Sequence, residues 1–93
     1  MHYTYVLRSQ RDKRFCTGYT SDLRERIREH GLGRVQSTAH RLPLRLVYYE
    51  ACLNREDALR RERFLKTGKG KRFLNNRLAG FLWSVRKSTL ERH

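Results

Sequence analysis

"HYTYVLRSQRDKRFCTGYTSDLRERIREH" (residues 2–30) is the stretch that decides the fold. Its first eight residues are rich in aromatic and β-branched side chains and read as a strand. "QRDKR" is a polar turn and "FCTGY" a second short strand, so the two form a hairpin. From Leu23 the apolar period changes from two to 3.6, which predicts a helix capped by Ser21 or Asp22 and stopped by Gly31. Leu23 and Ile27 share one stripe of that helix, while Arg24, Glu25, Arg28 and Glu29 point the other way. With Leu23 at zero, Ile27 falls at about 40°, His30 at about −20° and Arg26 at about −60°. A guanidinium and an imidazole thus stand one turn apart on the border of the buried face. They are either a snorkelling Arg and a hydrogen-bonded core His, or two groups aimed at a site.

Further along, "GLGRVQSTAHRLP" (31–43) carries two Gly, the only Pro and no periodicity, and reads as a loop. "LRLVYYEAC" (44–52) is a third strand with apolar groups on both faces, expected to be covered on both sides. Asn54 followed by Asp57 resembles a capping box and opens a helix running to about Leu65. "KTGKGK" (66–71) breaks the chain at Gly68 and Gly70. A last helix is expected from about Arg72 to Leu82, packing through Phe73, Leu74, Leu78 and Phe81.

Ninety-three residues with 38% hydrophobic and 33% charged content describe one globular domain. No apolar run approaches the roughly 20 residues of a membrane span, and no secretion signal precedes the first strand, so a soluble cytoplasmic protein is expected. Twenty-two Lys and Arg against nine Asp and Glu give a net charge of +13. A chain this small and this basic points to a polyanionic partner, nucleic acid first. A membrane surface is the weaker alternative, because no helix joins a broad apolar face to a Lys-rich one. Cys16 and Cys52 have no neighbours at metal-ligand spacing and read as reduced thiols on strands.

The helix after Asn54 holds the sharper anomaly. With Ala58 at zero, Leu65 falls at about −20° and Glu62 at about 40°, inside the apolar stripe. A carboxylate there is paired with an arginine, protonated or bound to a metal.

"YTYVLRS", "FCTGYTSDLRERIREH", "LVYYEA" and "DALRRERFLKTGKGKRFL" come in the order and spacing of small single-domain members of the GIY-YIG nuclease superfamily. The resemblance covers about residues 3–78 and extends to the N-terminal nuclease domain of the excinuclease C subunit and to homing endonuclease domains. It implies an α+β fold, a small three-stranded antiparallel sheet flanked by helices, over residues 1–78. Residues 79–93 would be a helical extension, packed on that domain or trailing from it. It also implies hydrolysis of a DNA phosphodiester with one divalent ion, Mg²⁺ or Mn²⁺, in a setting of repair or recombination. By position, the first motif triplet falls on Tyr3, Thr4 and Tyr5, the second on Cys16, Thr17 and Gly18. The functional tyrosine is then Tyr5, the helix arginine Arg26, the histidine of some branches His30, and the metal-binding glutamate Glu62. Two departures stand out: Tyr3 replaces a glycine, and Cys16 replaces the second motif tyrosine, for which the neighbouring Tyr19 could substitute.

The chemistry is coherent. Cleavage needs an activated water, relief of phosphate charge and help for the leaving oxygen. Tyr5 can serve as base if neighbouring cations lower its pKa from about 10. Arg26 can fork onto the phosphate, His30 can relay a proton, and Glu62 can hold an ion whose other positions are water and phosphate oxygen. Arg34, His40, Arg41, Lys69, Lys71 and Arg72, in or beside loops, are the expected nucleic-acid contacts of a monomer. Two other readings remain at this stage: a binding module weakened in catalysis by Cys16, and a basic RNA- or ribosome-associated protein. The second explains the charge but not Glu62.

Overall fold

The computed structural model describes residues 1–91, with side chains through 87. Three strands, β1 (His2–Ser9), β2 (Phe15–Thr20) and β3 (Leu44–Cys52), form one antiparallel sheet in the order β2-β1-β3. Helix α1 (Leu23–Gly31) follows the hairpin, and α2 (Arg55–Leu65), α3 (Gly68–Arg77) and α4 (Ala79–Glu91) follow β3. This is an α+β fold. No helix among the described residues is long and apolar enough to cross a membrane.

The central strand is β1, and its alternation divides the protein. Thr4 and Val6 face the α2–α3 side: the Thr4 hydroxyl donates to the Ala58 carbonyl of α2, and Val6 joins the core of Leu65, Leu74 and Leu78. Tyr5, on the other face, turns toward α1. Both sides of β1 are therefore buried. Strand β3 is an edge of the sheet, yet it meets helices on both faces as expected: Val47 and Tyr48 pack against the core, while Leu46 and the half-exposed Tyr49 face α1. Its outer face is apolar because Tyr49 packs edge-on against Tyr3 and shares a shallow groove with Leu46, Leu23 and Ile27.

The helix starts follow their caps. Asp22 accepts from the Glu25 amide, and Asn54 accepts from the amides of Glu56 and Asp57. Gly31 ends α1 but is itself helical, and the left-handed residue beyond it is Gly33 (φ 73°). Residues 39–41 wind into a short 3₁₀ turn within the segment read as loop. The single helix expected over 72–82 is instead two. Thr67 caps α3 by accepting from the Gly70 amide, so both glycines lie in its first turn, and the chain bends at Leu78. Gly70 stays because α3 packs against the end of α2: a Cβ there would strike the Phe64 carbonyl and Leu65 Cα. Leu82 of α4 packs on the core, and Phe81 lies between the Arg8 and Arg45 guanidiniums, 5.7 and 5.1 Å from its ring centre. Of the extension expected over 79–93, residues 92 and 93 lie outside the described residues.

Candidate active site

Gly18 pairs directly opposite Tyr5 across β1 and β2, and the Tyr5 ring lies over it. A Cβ at Gly18 would collide with the Tyr5 hydroxyl. The glycine is thus what lets a tyrosine on the central strand reach past the hairpin. Its hydroxyl stops 2.9 Å from His30 Nε2 and accepts from Arg26 Nε at 3.3 Å. Both partners come from the buried border of α1, where the helical periodicity put them.

His30 is 3% exposed and is held at both ring nitrogens. Its Nδ1 lies 2.8 Å from the hydroxyl of Thr38, itself fully buried, and that hydroxyl points at the Val35 carbonyl 3.4 Å away. Two tautomers satisfy this network; in the one where Thr38 donates to Val35, Nδ1–H donates to Thr38 and Nε2 is left to accept from the Tyr5 O–H. Thr38 escaped the sequence reading, since a polar residue in an aperiodic segment gives no sign of burial.

Burial pushes the Tyr5 phenol above its ordinary value, outweighing the opposing hydrogen bond and charge of Arg26. The lowered phenol expected from neighbouring cations is therefore not present in this state. Burial, helped by Arg26, pushes the His30 imidazole down, so His30 is neutral at pH 7 and free to accept a proton.

These groups line a cleft of about 300 Å³ with Cys16, Tyr19, Leu59, Glu62 and Lys66. Glu62 is its only carboxylate among the described residues, and its charge acts on Tyr5. Its Oε2 meets Lys66 Nζ at 3.3 Å, with the glutamate side chain 20% and the lysine side chain 57% exposed, so the cation stays largely in water. A pair that exposed contributes little, so it does not account for a carboxylate on the apolar stripe of α2. Among the described residues no three His, Cys, Asp or Glu gather around one point. One carboxylate among water and phosphate oxygens still fits Mg²⁺, which keeps most of its hydration.

The remaining expected residues separate. Tyr19 lies on the cleft but alternates to the other face of β2 from Gly18; its hydroxyl meets His2 Nδ1 at 2.8 Å and its ring lies under Arg55. Tyr3 lies in the groove between α1 and β3. His40, Arg41 and Lys71 line a second, basic groove, and the Arg41 guanidinium is bonded to Asp12. Arg34, Lys69 and Arg72 are exposed and line neither. Of the six expected nucleic-acid contacts only Arg34 lies in a loop proper. His40 and Arg41 are in the 3₁₀ turn, and Lys69, Lys71 and Arg72 are in α3.

The family model for the GIY-YIG catalytic domain matches residues 1–77. A UPF0213 protein of Streptococcus pyogenes (serotype M5, strain Manfredo) is 41% identical over 68 residues, 72% of this chain and 73% of the relative. A UPF0213 protein of Haloquadratum walsbyi is 39% identical over 67 residues, 71% of this chain and 74% of the relative. No solved structure matches the chain significantly.

Proposed function

The chain belongs to the GIY-YIG catalytic domain family, a nuclease superfamily, and on that premise we propose that it is a divalent-metal-dependent endonuclease acting on DNA. The observation that carries this reading is the Tyr5 hydroxyl, held between Arg26 and a neutral His30 in a cleft whose carboxylate is Glu62. A fold needs no such arrangement; a hydrolytic site does.

Tyr5 and His30 act as one base. A phenol with a raised pKa does not ionise on its own at neutral pH. As a water attacks phosphorus and the opposite P–O ester bond breaks, the water's proton passes to Tyr5 Oη, the Tyr5 proton passes to His30 Nε2 and the leaving oxygen takes a proton from solvent, so no free phenolate accumulates. The imidazolium formed is stabilised by the Thr38 hydroxyl that accepts from Nδ1. Arg26 bonds Tyr5 through Nε, which leaves its terminal nitrogens for the phosphate. Glu62 would hold the divalent ion, Mg²⁺ or Mn²⁺, which when bound supplies Lewis-acid relief of phosphate charge.

The reading of a binding module weakened in catalysis rests on Cys16. It lines the cleft in place of a second phenol, and a thiol is shorter than the phenol it replaces. One experiment separates the two: the protein is incubated with labelled duplex, nicked, branched and single-stranded DNA, with Mg²⁺ or Mn²⁺ and with chelator. Chelator-sensitive cleavage is expected, lost in Glu62→Gln with DNA affinity and melting temperature nearly unchanged. Binding without cleavage of any substrate selects the weakened module. A lowered melting temperature of Glu62→Gln with metal-dependent cleavage retained would make Glu62 a structural ion pair.

A further inference from the structure

Beside the cleft lies a larger groove of about 650 Å³, and Ser37 lines both. Adjacent β2 residues also divide between them, Phe15 in the groove and Cys16 in the cleft. Three stretches far apart in sequence build the groove: the β1–β2 turn with the start of β2, the stretch from Ser37 through the 3₁₀ turn, and the consecutive helices α3 and α4. Lys13, Arg14, Arg41 and Lys71 bring four positive charges and Asp12 one negative, +4 − 1 = +3 with His40 neutral. Asp12 is already matched, bonding Arg41 at 2.8 and 3.3 Å, which holds its carboxyl down at about 2 and keeps it ionised. Among the described residues no acid stands within ion-pair distance of Lys13, Arg14 or Lys71.

Two unfavourable features meet here. Three like charges face one concavity. Lys13 is also the one non-glycine among the described residues with a positive φ, 64°, a conformation Asn or Gly adopts with less strain. Packing explains neither, since all three side chains belong to exposed residues. A polyanion in the groove relieves the first and gives the second a purpose, because the turn carries a lysine where an asparagine would suit the backbone better.

We propose that this groove is a subsite for the sugar–phosphate backbone of the strand whose scissile phosphate enters the neighbouring cleft, with Lys13, Arg14 and Lys71 neutralising its phosphates. The proposal rests on the nuclease reading for what happens in the cleft, but binding in the groove needs no catalysis. The volume is that of a drug-sized ligand site, enough for a short run of backbone. Contacts of this kind position a strand without reading its sequence.

The test is fluorescence anisotropy with labelled DNA in chelator, over about 50 to 200 mM salt. Lys13→Asn, Lys71→Met and their combination are compared with a control, Arg24→Gln with Arg63→Gln, two exposed arginines that line neither this basic groove nor the cleft. Each lost phosphate contact lowers the slope of log affinity against log salt by about 0.7–0.9. The groove pair is therefore expected to lower it by roughly 1.4–1.8 and the control pair by far less. Lys13→Asn is expected to weaken binding while keeping or raising the melting temperature. Equal slopes in groove and control variants overturn the proposal, as does a loss of melting temperature that parallels the loss of affinity in Lys13→Asn. If the wild type cleaves but the groove pair binds like it, the groove alone fails; if the wild type binds no DNA, the nuclease reading fails as well.

Discussion

Thr38 is eight residues from His30 in sequence and 2.8 Å from it in space, and the division of labour between them is the residue-scale result. Thr38 touches no substrate in the proposed reaction; it positions His30 by fixing which nitrogen is bare. Thr38→Val keeps the volume and removes the acceptor, leaving a buried Nδ1–H unsatisfied at about 1–3 kcal/mol, or driving the ring to the tautomer that cannot receive the Tyr5 proton. Turnover is expected to fall by as much as the roughly 10²–10⁴-fold typical of acid–base help, with KM little changed, and Thr38→Ser is expected to restore it. The pH profile carries the sign. Because His30 must be neutral and its pKa is depressed, the acid limb of kcat lies below 6.5 in the wild type, and lower still when Thr38 no longer stabilises the imidazolium. Stability follows the same direction: the unfolded chain takes up the His30 proton first, so that contribution is present above pH 6.5 and lost as pH falls through the folded pKa. A Thr38→Val variant with normal turnover and an unmoved acid limb would leave Thr38 a loop anchor. Arg26, His30 and Glu62 were legible because helical geometry turns sequence position into direction. Thr38 was not, since its burial depends on how residues 32–38 fold back onto α1.

Elements were legible where a local chemical rule sets them. Asp22 and Asn54 cap the helices they precede, and "FCTGYT" pairs with "HYTYVLRS" in a hairpin. The errors came where the rule was not local. Tyr49, on the α1 face of β3, is only half covered because the groove it shares with Leu23 and Ile27 is shallow. Gly68 and Gly70 looked like a single break, but Thr67 supplies a cap strong enough to begin a helix there. The two glycines differ in what surrounds them, and that difference can be measured. At Gly68 a Cβ meets nothing within 4 Å, so Gly68→Ala is expected to be neutral or stabilising by up to about 1 kcal/mol. At Gly70 a Cβ meets backbone atoms of Phe64 and Leu65, which have no rotamer to yield. Gly70→Ala should cost about 1–3 kcal/mol, about 4 °C or more in melting temperature for a domain this size. Equal melting temperatures for the two variants would mean that α2 and α3 are not packed this closely.

At the scale of the molecule, charge was the most legible property and the least tied to fold. With 22 basic and nine acidic side chains, repulsion outweighs attraction. Two of the ion pairs among the described residues, Arg28–Glu25 and Arg60–Asp57, are more than half exposed and contribute little. The free protein is therefore expected to gain stability as salt screens it, since the Debye length falls from about 30 Å at 0.01 M to about 8 Å at 0.15 M. Bound DNA stabilises by mass action, about 2.7 kcal/mol at a hundredfold excess over Kd, or roughly 11–22 °C here. That increment shrinks with salt because phosphate neutralisation dominates the affinity. Melting followed by circular dichroism, in chelator and with and without excess DNA, should give two opposed trends. The free protein's midpoint climbs with salt, the complex's falls, and the curves converge. A free midpoint that falls with salt would mean that ion pairs, not repulsion, govern the fold; a DNA increment that salt leaves unchanged would mean that contacts other than phosphate neutralisation hold the complex.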